Sequence, residues 1–212
     1  AVPTGHDVAS NNTFKETSRP TIKNATPTYW MRASEVYFLL AEAALHGFSA
    51  GQTAEDLYKK GIEMSFEEHG IASSEVSNYI NSGLTPSAYS LHVYIPSVNV
   101  NAPAVSKATT EWTGTDEEKL EKIMIQKWIA LYPNGQEAWS EYRRTGYPKL
   151  HHAVTNYSNG EVDNEIGIRR MRFPTNKVTS QEELTNLENA RKLLHGGQDK
   201  AGTRLWWDNK NH

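Results

Sequence analysis

Catalysis needs a nucleophile beside a base, a metal-ligand set or a phosphate cradle, and the 212 residues offer few such groupings. His151-His152 is a histidine pair, but adjacent residues seldom chelate one ion together, and no second ligand pair follows at metal spacing. Residues 159–167, NGEVDNEIG, hold three acids. They do not follow the calcium-loop order of D-x-[DN]-x-[DN]-G with a distal glutamate, and they read as a solvated turn. G-x-S-x-G, H-E-x-x-H, Walker-type and G-x-G-x-x-G motifs are all missing. There are no cysteines, which removes disulfides, thiolate metal sites and a cysteine nucleophile. The sequence thus names no catalytic residue, no metal site and no cofactor.

What remains is recognition. From Gly83 to Gly114 the chain carries Pro86, Pro96 and Pro103 among many Ser, Thr, Asn and Val residues, with a strand expected near His92–Ile95. Irregular loops of this length in a compact domain are usually functional or disordered. Tyr89, Tyr94 and Trp112 lie in or beside it. The C–H faces of pyranose rings are apolar and stack on aromatic rings, while sugar hydroxyls seek amides and charges. Tyr89, Tyr94 and Trp112, with Asn99 and Asn101, are therefore the candidate ligand-binding residues. The other aromatics read as structural. Trp128, Trp139 and Tyr142 sit at helical spacing on faces expected to meet in a core. Trp206-Trp207 reads as a tail docked through its indoles, and Arg143-Arg144 suits the negative end of a helix.

The elements that position the loop are mostly helical. Val36, Leu39, Leu40, Ala43 and Ala44 form a stripe on a helix spanning 29–46, closed by Gly47. Thr53 caps a second helix with Leu57, Tyr58, Gly61 and Ile62 on one face and Gly70 at its end. Small Ala41 and Gly61 would let the two approach closely. A short helix is expected at 74–81. Thr115-Asp116-Glu117-Glu118 is a capping box that opens a helix to Tyr132, with Leu120, Ile123, Met124, Trp128, Ile129 and Leu131 as its apolar set. Tyr-Pro-Asn-Gly then turns the chain into a partner helix, 136–145. Asn159-Gly160 signals a β-hairpin. Ser180–Glu183 is another capping box, opening a helix through Leu194.

The expected class is mostly α: tetratricopeptide-like helical hairpins with long irregular loops. The segments are a loop or linker at 1–28, a first hairpin at 29–70, the long loop at 83–114, a second hairpin at 115–146 and a C-terminal segment at 147–212. A net charge of −3 with interspersed signs offers no basic field for nucleic acid. No apolar run approaches the ~20 residues of a membrane helix. The polar opening, without initiator Met or leader pattern, suggests a fragment of a longer protein.

Several stretches together resemble one family. YWMRASEVYFLLAEAAL (29–45), EKLEKIMIQKWIALYPNGQEAWSEYRRTGYP (118–148), RRMRFPTNKV (169–178) and LHGGQDKAGTRLWWDN (194–209) are similar to the SusD/RagB family of nutrient-binding outer-membrane lipoproteins. The resemblance covers about residues 29–209 and corresponds to the C-terminal part of a single SusD-like domain. It implies a non-enzymatic protein on the outer-membrane surface, lipid-anchored through an N-terminal region this chain lacks. The implied partners are an oligosaccharide or peptide nutrient, a SusC-like TonB-dependent transporter and the N-terminal part of the same protein. In the family these signatures look like fold determinants, so no ligand residue carries over. A helical-repeat scaffold binding peptides or protein partners is the alternative. A glycosidase fragment has no supporting motif.

Overall fold

A computed structural model describes residues 25, 27, 29–91, 100–152, 156–174, 180–196 and 198–208. The described residues divide into two compact units, one up to Leu150 and one from His151 onward.

The first unit is built on helices. α1 (Ala33–Leu45) and α2 (Ala54–Glu68) pair as an antiparallel hairpin. Thr53 caps α2 by accepting the Asp56 N–H, and the Schellman-type ends use Gly47 and Gly70 at positive φ. α3 (Glu75–Ile80) is short, and α4 (Asp116–Ala130) opens on the expected capping box of Thr115 and Glu118. α5 (Gly135–Thr145) is capped by Asn134 and closed by Gly146 at φ 78°. Between α3 and α4 lie two short strands, β1 (Tyr89–Leu91) and β2 (Val100–Ala102), paired antiparallel with Tyr89 opposite Ala102. The protein is mostly α, with tetratricopeptide-like hairpins.

The core joins Phe38 and Ala41 of α1, Leu57, Tyr58 and Ile62 of α2, Ile80, and Leu120, Ile123, Met124 and Ala130 of α4. Phe38 lies flat on the bare backbone of Gly61. A Cβ there would sit 2.6 Å from the Phe38 ring, so only glycine allows this approach.

Two helix faces differ from the sequence expectation for one reason. The buried residues of α1 are Ser34, Glu35, Phe38, Ala41 and Glu42, whereas Val36 is exposed and Leu39 and Ala43 are only half-buried. In α4, Lys127 is 1% exposed and occupies the inward position after Ile123 and Met124. Buried charges look like surface residues in a hydrophobicity pattern, so the inward faces were rotated in the reading. Trp128 is accordingly half-buried rather than in the core, and Ile129 is exposed. Trp139 is half-buried too, with the Arg143 guanidinium 3.8 Å above its ring.

The charges replace what the apolar face leaves out. Arg144 of α5 forms two bonds to Glu42 of α1, and also pairs with Glu141, which lies 3.3 Å from the Lys127 ammonium. α1, α4 and α5 are thus tied by one ionic network. Desolvation raises the pKa of the neighbouring Glu35 above the usual carboxylate range, with the carboxylates of Glu137 and Glu141 adding to it against Lys127.

In the second unit, α6 (Gln181–Lys192) starts at the expected Ser180–Glu183 capping box and buries none of its residues. Asn159 and Gly160 take positive φ, but no hairpin follows; an isolated bridge joins Asp163 and Gly167, and Asp163 accepts from Glu165 and Ile166 N–H. The short polar side chains capture the turn's backbone groups, which competes with a strand ladder. Charge holds the tail in place. Asp208 is held between Arg169 at 2.7 Å and Arg204 at 2.9 Å, while Trp206 is 66% exposed. Arg170 pairs with Asp199, whose pKa is held down by that arginine against the opposing effect of burial.

Candidate functional site

The long loop divides into a fastened half and a projecting half. Lys122 of α4 is buried, and its ammonium donates to Thr109 Oγ1 at 3.0 Å, the Glu111 carbonyl at 2.6 Å and Thr113 Oγ1 at 3.1 Å. Thr110 donates to the carbonyls of Tyr79 and Ile80, and its own carbonyl accepts from the buried Tyr58 hydroxyl. Ser106 donates to Glu121 at 2.6 Å. Residues 106–113 therefore form a strap pinned along α4 and the end of α3. Desolvation lowers the Lys122 pKa, because its three acceptors are neutral oxygens.

The β1–β2 ribbon stands off this strap. Tyr89 is 39% exposed at its base, and Ser90 donates to the Asn101 side-chain oxygen across the pair at 2.9 Å. The register puts Ser90 and Asn101 on one face of the ribbon and Tyr89, opposite Ala102, on the other. Tyr94 and Asn99, and the strand expected at His92–Ile95, lie outside the described residues. Trp112 belongs to the strap rather than the ribbon. Its ring packs 5.0 Å from Tyr58 at the edge of the core, with Lys119 on its face.

Two cavities open where the loop enters and leaves the ribbon. One, of about 320 Å³, has an apolar floor of Leu84, Pro86, Ile125 and Ile129 and a rim of Tyr79 and Gln126, which are hydrogen-bonded to each other. The other, of about 590 Å³, is walled by Lys107, Thr113, Glu118 and Glu121. Lys122, Lys149, Ser106 and Thr109 line both. Volumes of this order suit a small ligand. Two hydrogen bonds from Thr115, one from its backbone and one from its hydroxyl, hold the Glu118 carboxyl below its usual range.

Lys122, Lys149 and the Ser106–Glu121 bond were not singled out in the sequence. Lysines on a helix otherwise rich in exposed charge give no hint that one is buried. The Thr-rich run 109–115 was the available signal, since clustered hydroxyls are acceptors for a buried ammonium. Among the described residues, no group of three or more His, Asp or Glu side chains could hold a metal ion, and His151 and His152 are exposed. No helix of the described residues is long and apolar enough to cross a membrane.

The model of the SusD-like family, described as Susd and RagB outer membrane lipoprotein, matches residues 1–208. The chain belongs to the SusD-like family. It is similar to a solved SusD homolog from Bacteroides thetaiotaomicron VPI-5482, with 40% identity, TM-score 0.79, and coverage of 90% of this chain and 40% of that one. A chitin-binding SusD homolog from Flavobacterium johnsoniae matches at 42% identity and TM-score 0.71, over 86% of this chain and 37% of that one. A SusD homolog from Bacteroides vulgatus ATCC 8482 gives 37% identity and TM-score 0.83, over 96% and 41%. No curated protein matches the chain. The chain spans about 40% of the length of the first of these SusD homologs.

Proposed function

We propose that the protein captures an oligosaccharide at the Gly83–Gly114 loop, without turnover, and passes it to a SusC-like TonB-dependent transporter in the outer membrane. On this reading it sits on the cell surface, lipid-anchored through an N-terminal region, and this chain is the C-terminal part of one SusD-like domain. The observation that carries the reading is the exposed Tyr89 on a ribbon whose following strap is pinned to α4, in a family with a chitin-binding member. A fixed base is what a stacking platform needs, since ordering a free loop on binding would oppose affinity. Tyr94 and Asn99, in the same loop, are proposed as further ligand contacts, and Trp112 supports the loop from the edge of the core. A lid that must release its cargo suits affinities of about −4 to −8 kcal/mol.

Titration calorimetry of the intact protein against chitin, xylan, glucan and pectin oligosaccharides tests this, repeated with Tyr89→Ala and Asn101→Ala. Glycan binding that both variants weaken supports the reading. Clear peptide binding with no glycan bound overturns it.

One observation favours the alternative of a scaffold for peptides or protein partners. Trp128, exposed Ile129 and exposed Tyr132 line a third cavity of about 580 Å³ with His69, on the helices rather than the loop. Peptide binding abolished by Trp128→Ala would identify it.

A further inference from the structure

We propose that the cleft between the strap and α4 receives the negative group of an acidic sugar, a uronate or a sulfate ester, so that the captured glycan is anionic. This rests on the glycan reading above and names the class of glycan. The first support is a buried charge without an ion-pair contact, on which the Glu111, Glu118 and Glu121 carboxylates act only through space. Lys122 is 5% exposed, and its three donor positions are filled by Thr109, the Glu111 carbonyl and Thr113, all neutral. No carboxylate reaches ion-pair distance of it among the described residues. Its positive charge therefore acts through space on whatever occupies either cavity that it lines.

The second support is the state of the other charges on the walls. Glu118 is committed to the Thr115 backbone N–H and hydroxyl, and Glu121 accepts from Ser106. Lys107 and Lys149 are exposed, carry no ion pair among the described residues, and keep their donors for a ligand. The smaller cavity is lined by Lys122 and Lys149 and, among the described residues, by no carboxylate, whereas the larger sets Lys107, Lys122 and Lys149 against the still-charged Glu118 and Glu121. The third support is shape. The apolar floor of Leu84, Pro86, Ile125 and Ile129 adjoins the cationic wall, which matches a pyranose with one apolar face and an anionic substituent.

The test is calorimetry of the intact protein with four probes: trigalacturonate, its carboxyl-reduced form, chitotriose and a sulfated chitotriose. At about 0.02 M salt, an anionic probe is expected to bind about tenfold tighter than its neutral counterpart, a gap of about 1.4 kcal/mol. The gap should shrink at about 0.3 M salt, where the screening length is shorter. Which anionic probe gains names the source, carboxylate or sulfate. The double variant Lys107→Met, Lys149→Met should cut the ratio to about twofold by the same arithmetic. Its melting temperature should be unchanged, because both side chains are exposed. Equal binding of neutral and anionic sugars overturns this inference and leaves the glycan reading intact. So does a charge ratio that survives the double variant. Failure of all four probes, with peptides bound instead, overturns both.

Discussion

Arg144 and Glu42, 102 residues apart in sequence, meet in a two-pronged pair with Nη1–Oε1 at 2.6 Å and Nη2–Oε2 at 2.7 Å. The fork joins the second helical hairpin to the first, and Glu141 steadies it from the next turn of α5. The arginine is 43% exposed and the glutamate 9%, so solvent screens one partner and not the other. Arg144→Met leaves Glu42 largely buried without a counter-charge. The expected cost is about 1–3 kcal/mol, below that of a fully buried pair because of the screening. Arg144→Lys should recover less than half, since an ammonium cannot form the fork. A double-mutant cycle with Glu42→Gln in urea unfolding checks this; a coupling energy near zero would show that the pair is ornamental.

Gly61→Ala separates local from tertiary effects. In an isolated helix the change would stabilise by about 1 kcal/mol. Here the new methyl meets the Phe38 ring at 2.6 Å, a contact that must be relieved by moving a buried aromatic. A net loss of about 1–3 kcal/mol is expected. Phe38→Leu in the Gly61→Ala background should restore part of it. Thermal unfolding of the four proteins decides, and a stabilised single variant would mean that α1 and α2 pack more loosely than described.

The two predictions draw on different degrees of legibility. The close approach of the helices at Gly61 was visible because small residues on facing helices have one common use, although Phe38 is the residue that fills the space. The capping boxes at Thr115 and Ser180 were visible because their chemistry is local. The inward turn of Glu35, Glu42 and Lys127 was not, since a pattern of hydrophobicity scores those residues as surface and cannot see a partner 102 positions away. Of the site, the loop and its exposed Tyr89 could be read from composition. The packing of Trp112 on Tyr58 could not, because nothing local distinguishes a stacking indole from a buried one.

Glu35 gives a pH dependence whose sign follows from burial. Its folded-state pKa is raised above the ordinary value of 4.5, chiefly by desolvation. The folded state therefore holds a proton that the unfolded chain has released, and stability falls as pH rises from the unfolded pKa to the folded one. Glu35→Gln removes that slope. Relative to wild type, the variant should gain stability as pH rises from 5 to 8. Denaturant titrations at the two pH values measure the difference, and a constant offset would exclude Glu35 as its source.

Trp112 and Tyr89 should fail in different ways. Trp112→Ala removes a half-buried indole packed on Tyr58 and lined by Lys119, so the expected loss is stability, about 2–4 kcal/mol. Tyr89→Ala removes a ring that is 39% exposed, so the expected loss is affinity, with melting temperature shifted by no more than about 2 °C. Paired melting and calorimetry on each variant test the division. A stable Trp112→Ala protein that no longer binds glycan would return the indole to the binding platform.

Lys127 offers the sharpest test of whether the buried network stabilises the fold or only specifies it. Its side chain is 1% exposed, its ammonium lies 3.3 Å from Glu141 Oε2, and no acceptor among the described residues meets it with hydrogen-bond geometry. Burying that charge costs several kcal/mol of solvation, and one imperfect ion pair returns only part of it. Methionine has nearly the same length and no charge to desolvate. Glu141 would keep its bond to Arg144 after the change, so no carboxylate is stranded. Glu35 would lose the nearby Lys127 charge that opposes its desolvation, which raises its pKa further. Lys127→Met should therefore be neutral or stabilising by about 0–2 kcal/mol at pH 6. Lys127→Ala, which removes the packed stem as well, should destabilise by about 2–4 kcal/mol. If methionine proves as costly as alanine in urea unfolding, the ammonium itself holds α4 to α5, and the ion pair outweighs its desolvation.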